Sequence, residues 1–176
     1  QSLHVTPNEG KHLLHGGNAG FHTKIWRVET FEEKDRLTTK YSLTYDEEFP
    51  GDLQIEVCFS LLETNEVIVS YSGVSSEDTL LNCTNHSYFN LSGNLKETIH
   101  NHTLKMNAPR YIPINEHGLP LGMPLEVEDT VFDFTLAKPL SVVIGATDKQ
   151  VCLASGGLDH SFLLDEGIII LTDSNS

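Results

Sequence analysis

Five apolar side chains in strict alternation, Leu53, Ile55, Val57, Phe59 and Leu61, are separated by Gln54, Glu56, Cys58 and Ser60. A period of two sets the five on one side of an extended chain, so the segment predicts a β-strand with one face on a core. Shorter runs of the same kind occupy Leu37 to Thr44, Val67 to Tyr71, Leu80 to Phe89, His102 to Met106, Ser141 to Ile144 and Ser161 to Leu164. Clusters of Gly, Pro, Asn and Asp lie between them. No window of helical length carries an apolar i, i+3, i+4, i+7 stripe, and Ser, Thr and β-branched residues stand where a helix needs Ala, Leu, Glu and Lys, so any helix should be short. The expected class is all-β and antiparallel, and 176 residues suit a single domain, 1-176.

Turn chemistry agrees. Pro50-Gly51, just ahead of the strongest strand, is the order a type II turn requires. His117 to Pro120 and Leu121 to Pro124 predict a rigid surface loop, and Gly156-Gly157 a sharp turn before Leu158-Asp159-His160. The balance of 11 Lys+Arg against 25 Asp+Glu gives a formal charge of −14, which repels phosphate backbones and anionic lipid, so neither nucleic acid nor a membrane is an expected partner. A neutral, hydroxyl-rich ligand suits that charge, although an acidic surface is often a solubility device. There is no apolar run of membrane-spanning length, and Gln1-Ser2-Leu3-His4 does not read as a signal peptide.

Cys58, Cys83 and Cys152 are odd in number and lack zinc or redox spacing, and read as buried thiols in a reducing compartment. Four N-x-S/T sequons, at Asn82, Asn85, Asn90 and Asn101, would be glycosylated across the chain's most polar segment in a secreted protein. The cytoplasm is the expected location.

That segment is Thr84-Asn85-His86-Ser87-Tyr88-Phe89-Asn90-Leu91. On a strand, Thr84, His86 and Tyr88 would share one face, and a His oriented beside a Tyr suits proton transfer near neutral pH. The alternative is a core histidine satisfied by hydrogen bonds. Leu14-His15-Gly16-Gly17, followed by Gly20-Phe21, is a second candidate, because glycines beside a histidine let backbone or ligand approach closely; a Gly-rich hairpin with an exposed His is the alternative. Asp159, beside His160, could accept hydrogen bonds from ligand hydroxyls or cap a turn. Nine histidines raise the question of a metal, and His100-x-His102 would put two rings on one strand face, but two ligands are too few and no third is placed by spacing, so no metal site is assigned. No Gly-x-Ser-x-Gly elbow marks a serine hydrolase.

Taken in order, four elements resemble the aldose 1-epimerase family, also called galactose mutarotases. They are Leu14-His15-Gly16-Gly17 with Gly20-Phe21 and Trp26; Phe49-Pro50-Gly51-Asp52-Leu53; Thr84 to Leu91; and Gly157-Leu158-Asp159-His160-Ser161-Phe162. Arg110 to Ile114 with Gly118 to Gly122 is also similar to the family's pattern. The resemblance implies a large twisted antiparallel β-sandwich with an open sugar cleft, and interconversion of the α and β anomers of galactose or glucose without metal or organic cofactor. By resemblance His86 matches the acid for the ring oxygen, His15 a second histidine near that oxygen, and Asp159 the carboxylate that holds sugar hydroxyls. Ser87, Tyr88 and Phe89 are similar to cleft-wall residues.

The same resemblance implies that parts of the family fold lie outside this sequence. The family's general base, a late glutamate, and its upstream Asn-Arg pair have no match here. Ile170 to Ser174 resembles a later family strand, yet only Asp165-Glu166-Gly167 join it to Leu164, so a missing or disordered stretch is expected between about Leu164 and Ile168. A non-catalytic carbohydrate-binding or sugar-sensing relative is the competing reading, and a downstream glutamate in the full gene product distinguishes the two. A purely structural β domain, binding no aldose, is the third. The preferred aldose and the oligomeric state are not legible.

Overall fold

A computed structural model of the chain describes residues 3–165 and 167–173. It divides into two compact units, one ending at His86 and one beginning at Ser87.

The first unit is built on a four-stranded antiparallel sheet, β1 (Arg27–Glu32), β2 (Arg36–Tyr45), β3 (Leu53–Leu62) and β4 (Val67–Ser75), in that spatial order. The alternating run fills β3 up to its last residue, Leu62. Its register pairs Leu43 with Ile55 and Ile55 with Gly73, then Tyr41 with Val57 and Val57 with Tyr71, so the apolar side chains of three strands share one face. That face is closed at one end, where Tyr45, Leu53 and Ile55 are buried with Phe21, Trp26, Leu43, Phe49 and Cys83 packed on them. At the other end Leu37, Leu61 and Val67 are exposed. The opposite face carries a ladder of ion pairs, Arg27 to Glu29, Lys40 to Glu29 and Lys40 to Glu56. The Pro50-Gly51 turn forms as expected, with Gly51 at φ 82°; a Cβ there would stand 2.6 Å from the Ser75 hydroxyl oxygen and 2.9 Å from the Glu77 nitrogen.

The second unit has two three-stranded antiparallel sheets made from β5 (Thr103–Lys105), β6 (Arg110–Ile112), β7 (Leu125–Glu126), β8 (Lys138–Pro139), β9 (Ser161–Leu163) and β10 (Ile170–Thr172). Their orders are β10-β5-β8 and β7-β6-β9. One short helix, α1 (Lys149–Leu153), is capped by Asp148, whose carboxylate accepts the backbone N–H groups of Gln150 and Val151. The core gathers Met106, Ala108, Tyr111, Val127, Phe132, Phe134, Leu140, Val143 and Val151, with Tyr111 stacked on Phe132 at 4.5 Å. Burying one such phenylalanine contributes about 1.5–3 kcal/mol.

Several expectations need correction. Leu80 to Phe89 alternates like a strand but is not in a sheet: alternation sets side-chain direction, whereas a strand also needs a ladder partner, and this stretch has none among the described residues. Thr84, His86 and Tyr88 therefore do not share a strand face. Ser141 to Ile144 overlaps a 3₁₀ turn, Leu140–Val142, instead of forming a strand. His100 lies in a turn and His102 just ahead of β5, so they are not a one-face pair on a strand. All three cysteines are free, but Cys152, expected buried, is exposed, and Cys58 and Cys83 are only half-buried. In the link where a break was expected, Glu166 lies outside the described residues, as do Gln1, Ser2 and Ser174 to Ser176. Asp165, before it, donates its N–H to the Asn107 carbonyl at 2.9 Å.

Candidate active site

In the first unit the chain enters the site through three consecutive residues in the left-handed region, His15 (φ 52°), Gly16 (φ 78°) and Gly17 (φ 68°). A histidine seldom adopts that conformation unless its surroundings impose it. Here the imposition is close backbone contact: a Cβ on Gly20 would lie 2.4 Å from the His15 carbonyl oxygen and 2.8 Å from the His22 ring. Only glycine fits at 20. Beyond it Trp26 donates its indole N–H to the Phe21 carbonyl at 3.0 Å, and the Phe21 ring meets Tyr45 edge-on at 5.0 Å, which fixes the loop on the closed end of the sheet.

The result is that His15 and His86, 71 residues apart in the numbering, face each other with ring centroids 5.3 Å apart and planes at 77°. Both are solvent-exposed and both line a cavity of about 1040 Å³ whose wall also includes Gly20, Trp26 and Asn85 and whose floor is the apolar face of β3, flanked by Tyr45 and Tyr71. Two imidazoles at the rim of an apolar hollow can exchange protons and hydrogen bonds with a small ligand while the hollow takes its apolar side. Cys83 borders the same cavity, and burial pushes its thiol pKa up, so it is a thiol and not a nucleophilic thiolate.

In the second unit Asp159 is exposed, immediately ahead of β9. His160 beside it is held hard. Its Nε2 is 3.1 Å from the Gln150 Oε1, and the ring meets Phe132 at 4.8 Å and Tyr111 at 5.5 Å, both edge-on. Gln150 is itself fixed, because its Oε1 accepts the Ile114 N–H at 2.8 Å and its Nε2 donates to the Ile114 carbonyl at 3.1 Å. The amide oxygen can only accept, so the proton on His160 sits at Nε2. Burial lowers the His160 pKa, opposed by the charges of Asp159 and Asp148. Ser87, Tyr88 and Phe89 are exposed, Tyr88 at 88% and Phe89 at 68%.

Sequence reading passed over Gln150 and the anchoring of His160. The Asp148 cap two residues before Gln150 was the available signal for the short helix that presents it. Among the described residues no group of three or more His, Cys, Asp or Glu side chains is arranged to hold a metal, and no helix is long and apolar enough to cross a membrane.

Residues 1–176 match the family model of aldose 1-epimerase. An aldose 1-epimerase of Haemophilus influenzae is 36% identical over 165 residues, which is 93% of this chain and 47% of that protein. A galactose mutarotase of Homo sapiens is 33% identical over 164 residues, 93% of this chain and 46% of its own. The crystal structure of a galactose 1-epimerase from Lactobacillus acidophilus superposes with a TM-score of 0.87 at 29% identity, covering 96% of this chain and 51% of that one. The chain thus spans about half the length of the relatives it matches. Its mostly β, antiparallel structure is galactose mutarotase-like, and the chain belongs to the aldose 1-epimerase family.

Proposed function

We propose that the full protein carrying this chain interconverts the α and β anomers of an aldohexose such as galactose or glucose. The observation that carries the reading is the approach of His15 and His86 across one cavity. In this reading His86 is the acid. A base removes the proton from the anomeric hydroxyl, the C1–O1 bond becomes a carbonyl, the C1–O5 bond breaks, and the ring oxygen takes a proton from the His86 imidazole. Rotation about C1–C2 turns the other carbonyl face toward the hydroxyl, and closure re-forms C1–O5, returns the O5 proton to His86 and gives O1 back its proton from the base. His15 donates a hydrogen bond near the ring oxygen, Asp159 accepts from sugar hydroxyls, and Ser87, Tyr88 and Phe89 flank the sugar. No residue of this chain is assigned as the base. Neither metal nor organic cofactor enters these steps, and the four sequons across residues 82–103 favour the cytoplasm, where they stay unmodified.

Polarimetry on freshly dissolved α-galactose, with the full-length protein, tests the assignment. Replacing His86 with Gln lowers kcat by about 10²- to 10⁴-fold and changes KM little, because the interaction lost belongs to the transition state. Asp159→Asn instead raises KM, since its hydrogen bonds already exist with bound substrate. Near-normal turnover of the His86 variant removes it as the acid and passes the role to His15.

A further inference from the structure

His102 is 1% exposed, buried deeper than the core's Tyr111, and it plays no part in the chemistry above. Its Nε2 accepts the backbone N–H of Leu91 at 2.9 Å. Leu91 ends the polar segment that begins at Thr84, five residues after His86. The other ring nitrogen, Nδ1, faces the carboxylate of Asp173 at 3.6 Å, and that side chain is 9% exposed. Because Nε2 is occupied as an acceptor, the proton of a neutral imidazole resides on Nδ1, where it faces a negative charge.

The strands fix this order. Thr103 of β5 pairs with Thr172 of β10, which brings the preceding His102 opposite the following Asp173. The backbone of His102 is tied on both sides, its N–H to the Ile99 carbonyl at 2.9 Å and its carbonyl to the Leu140 N–H at 2.8 Å. Next to the anchored Leu91, Asn90 donates from Nδ2 to the Glu97 carbonyl at 3.0 Å and accepts the Ser92 N–H on Oδ1 at 3.0 Å. A segment outside any sheet is thus pinned at its downstream end to a rigid strand pair through one imidazole.

We infer that His102 is a positioning residue for the Ser87 to Leu91 stretch and, through the chain, for the His86 that precedes it, with the Asp173 charge 3.6 Å away favouring the tautomer that leaves Nε2 free to accept. This rests on the proposed role of His86. Positioning of this kind acts on turnover, since misplacing a reacting group by about 1 Å costs on the order of 10²-fold.

The test uses full-length protein in four forms: wild type, His102→Leu, His102→Gln and Asp173→Ala. Leucine leaves the Leu91 N–H without its acceptor, whereas glutamine offers an amide oxygen in its place. In His102→Leu we expect faster hydrogen exchange at the Leu91 amide and a fall in kcat of about tenfold or more, with KM for galactose changed by less than about threefold. His102→Gln recovers both exchange protection and most of the turnover. Asp173→Ala keeps the acceptor but frees the tautomer, so its kcat falls less, and it carries the test together with His102→Gln should His102→Leu fail to fold. Unchanged kcat in a folded His102→Leu overturns the inference, as does a His102→Gln that regains Leu91 protection without regaining turnover. A wild-type protein with no anomerase activity overturns the functional reading instead.

Discussion

Two strands of the first unit run for ten residues, whereas no strand of the second exceeds three. Burial goes the other way. The long sheet fully buries only Tyr45, Leu53 and Ile55 of its large apolar residues, while the second unit assembles nine buried residues around Phe132 and Phe134 from turns, short strands and one helical turn. Regular hydrogen bonding and a closed core are therefore separate achievements in this chain. The sheet is a platform with one end open, and the second unit is a packed body with little regular structure. The candidate site residues divide along the same line: His15 and His86 stand over the platform, and Asp159 and His160 rise from the packed body.

By that contrast the largest loss comes from the packed body. Phe132→Ala should cost about 3–5 kcal/mol in urea unfolding of the full-length protein, because its void is walled on all sides. In the first unit the tightest spot is backbone, at Gly20, where Ala forces the His15 carbonyl to move. A cost of about 1–3 kcal/mol is expected, with KM for galactose raised because His15 is displaced from His86. Retention of both stability and KM would show that the loop can yield there. Leu61→Ala, at the open end of β3, should cost about 1 kcal/mol or less, since the side chain is 52% exposed. A loss equal to that of Phe132→Ala would mean that further polypeptide covers this end of the sheet.

The smallest effect is electrostatic and belongs to the second unit. Burial lowers the folded-state pKa of His160 below its ordinary value of 6.5, so in the window beneath 6.5 the unfolded chain binds more protons than the folded one. Its contribution to stability is whole above that value and is lost as the pH falls toward the folded pKa. His160→Gln should therefore unfold with a shallower dependence on pH between 7 and 5 than the wild type. An identical slope would place His160 in solvent.

Legibility followed the same division. β2, β3 and β4 could be read because a sheet with one apolar face writes its period into the sequence. β1 was missed, since Arg27, Glu29 and Glu32 give this edge strand a charged surface. Leu80 to Phe89 showed the period without the pairing, because alternation reports side-chain direction and says nothing about a partner. The packed body was hardest: Phe132 sits in a turn and Phe134 in an irregular stretch, and their burial comes from contacts across the chain that no local pattern records. In the site, His15 and His86 stood out as candidates through the glycines and polar residues around them, but their approach to each other has no local signal in the sequence. His102 stood out only as one of two histidines at strand spacing, too few for a metal site, and its hold on the Leu91 N–H leaves no mark in that spacing.

The sheet's two edges differ in one more respect. β1 presents Arg27, Glu29 and Glu32 along its length, but β4, Val-Ile-Val-Ser-Tyr-Ser-Gly-Val-Ser, contains no charge and no proline, and among the described residues no strand lies beyond it. Unpaired N–H and C=O groups on such a strand form a template for another chain, and charged side chains are the usual guard against it. The first edge is guarded and the second is not. For this chain handled alone, self-association through β4 is the expected hazard at high concentration, despite a net charge of −14 that would otherwise keep molecules apart. Sedimentation at rising concentration, with and without a lysine at Val69, would report it.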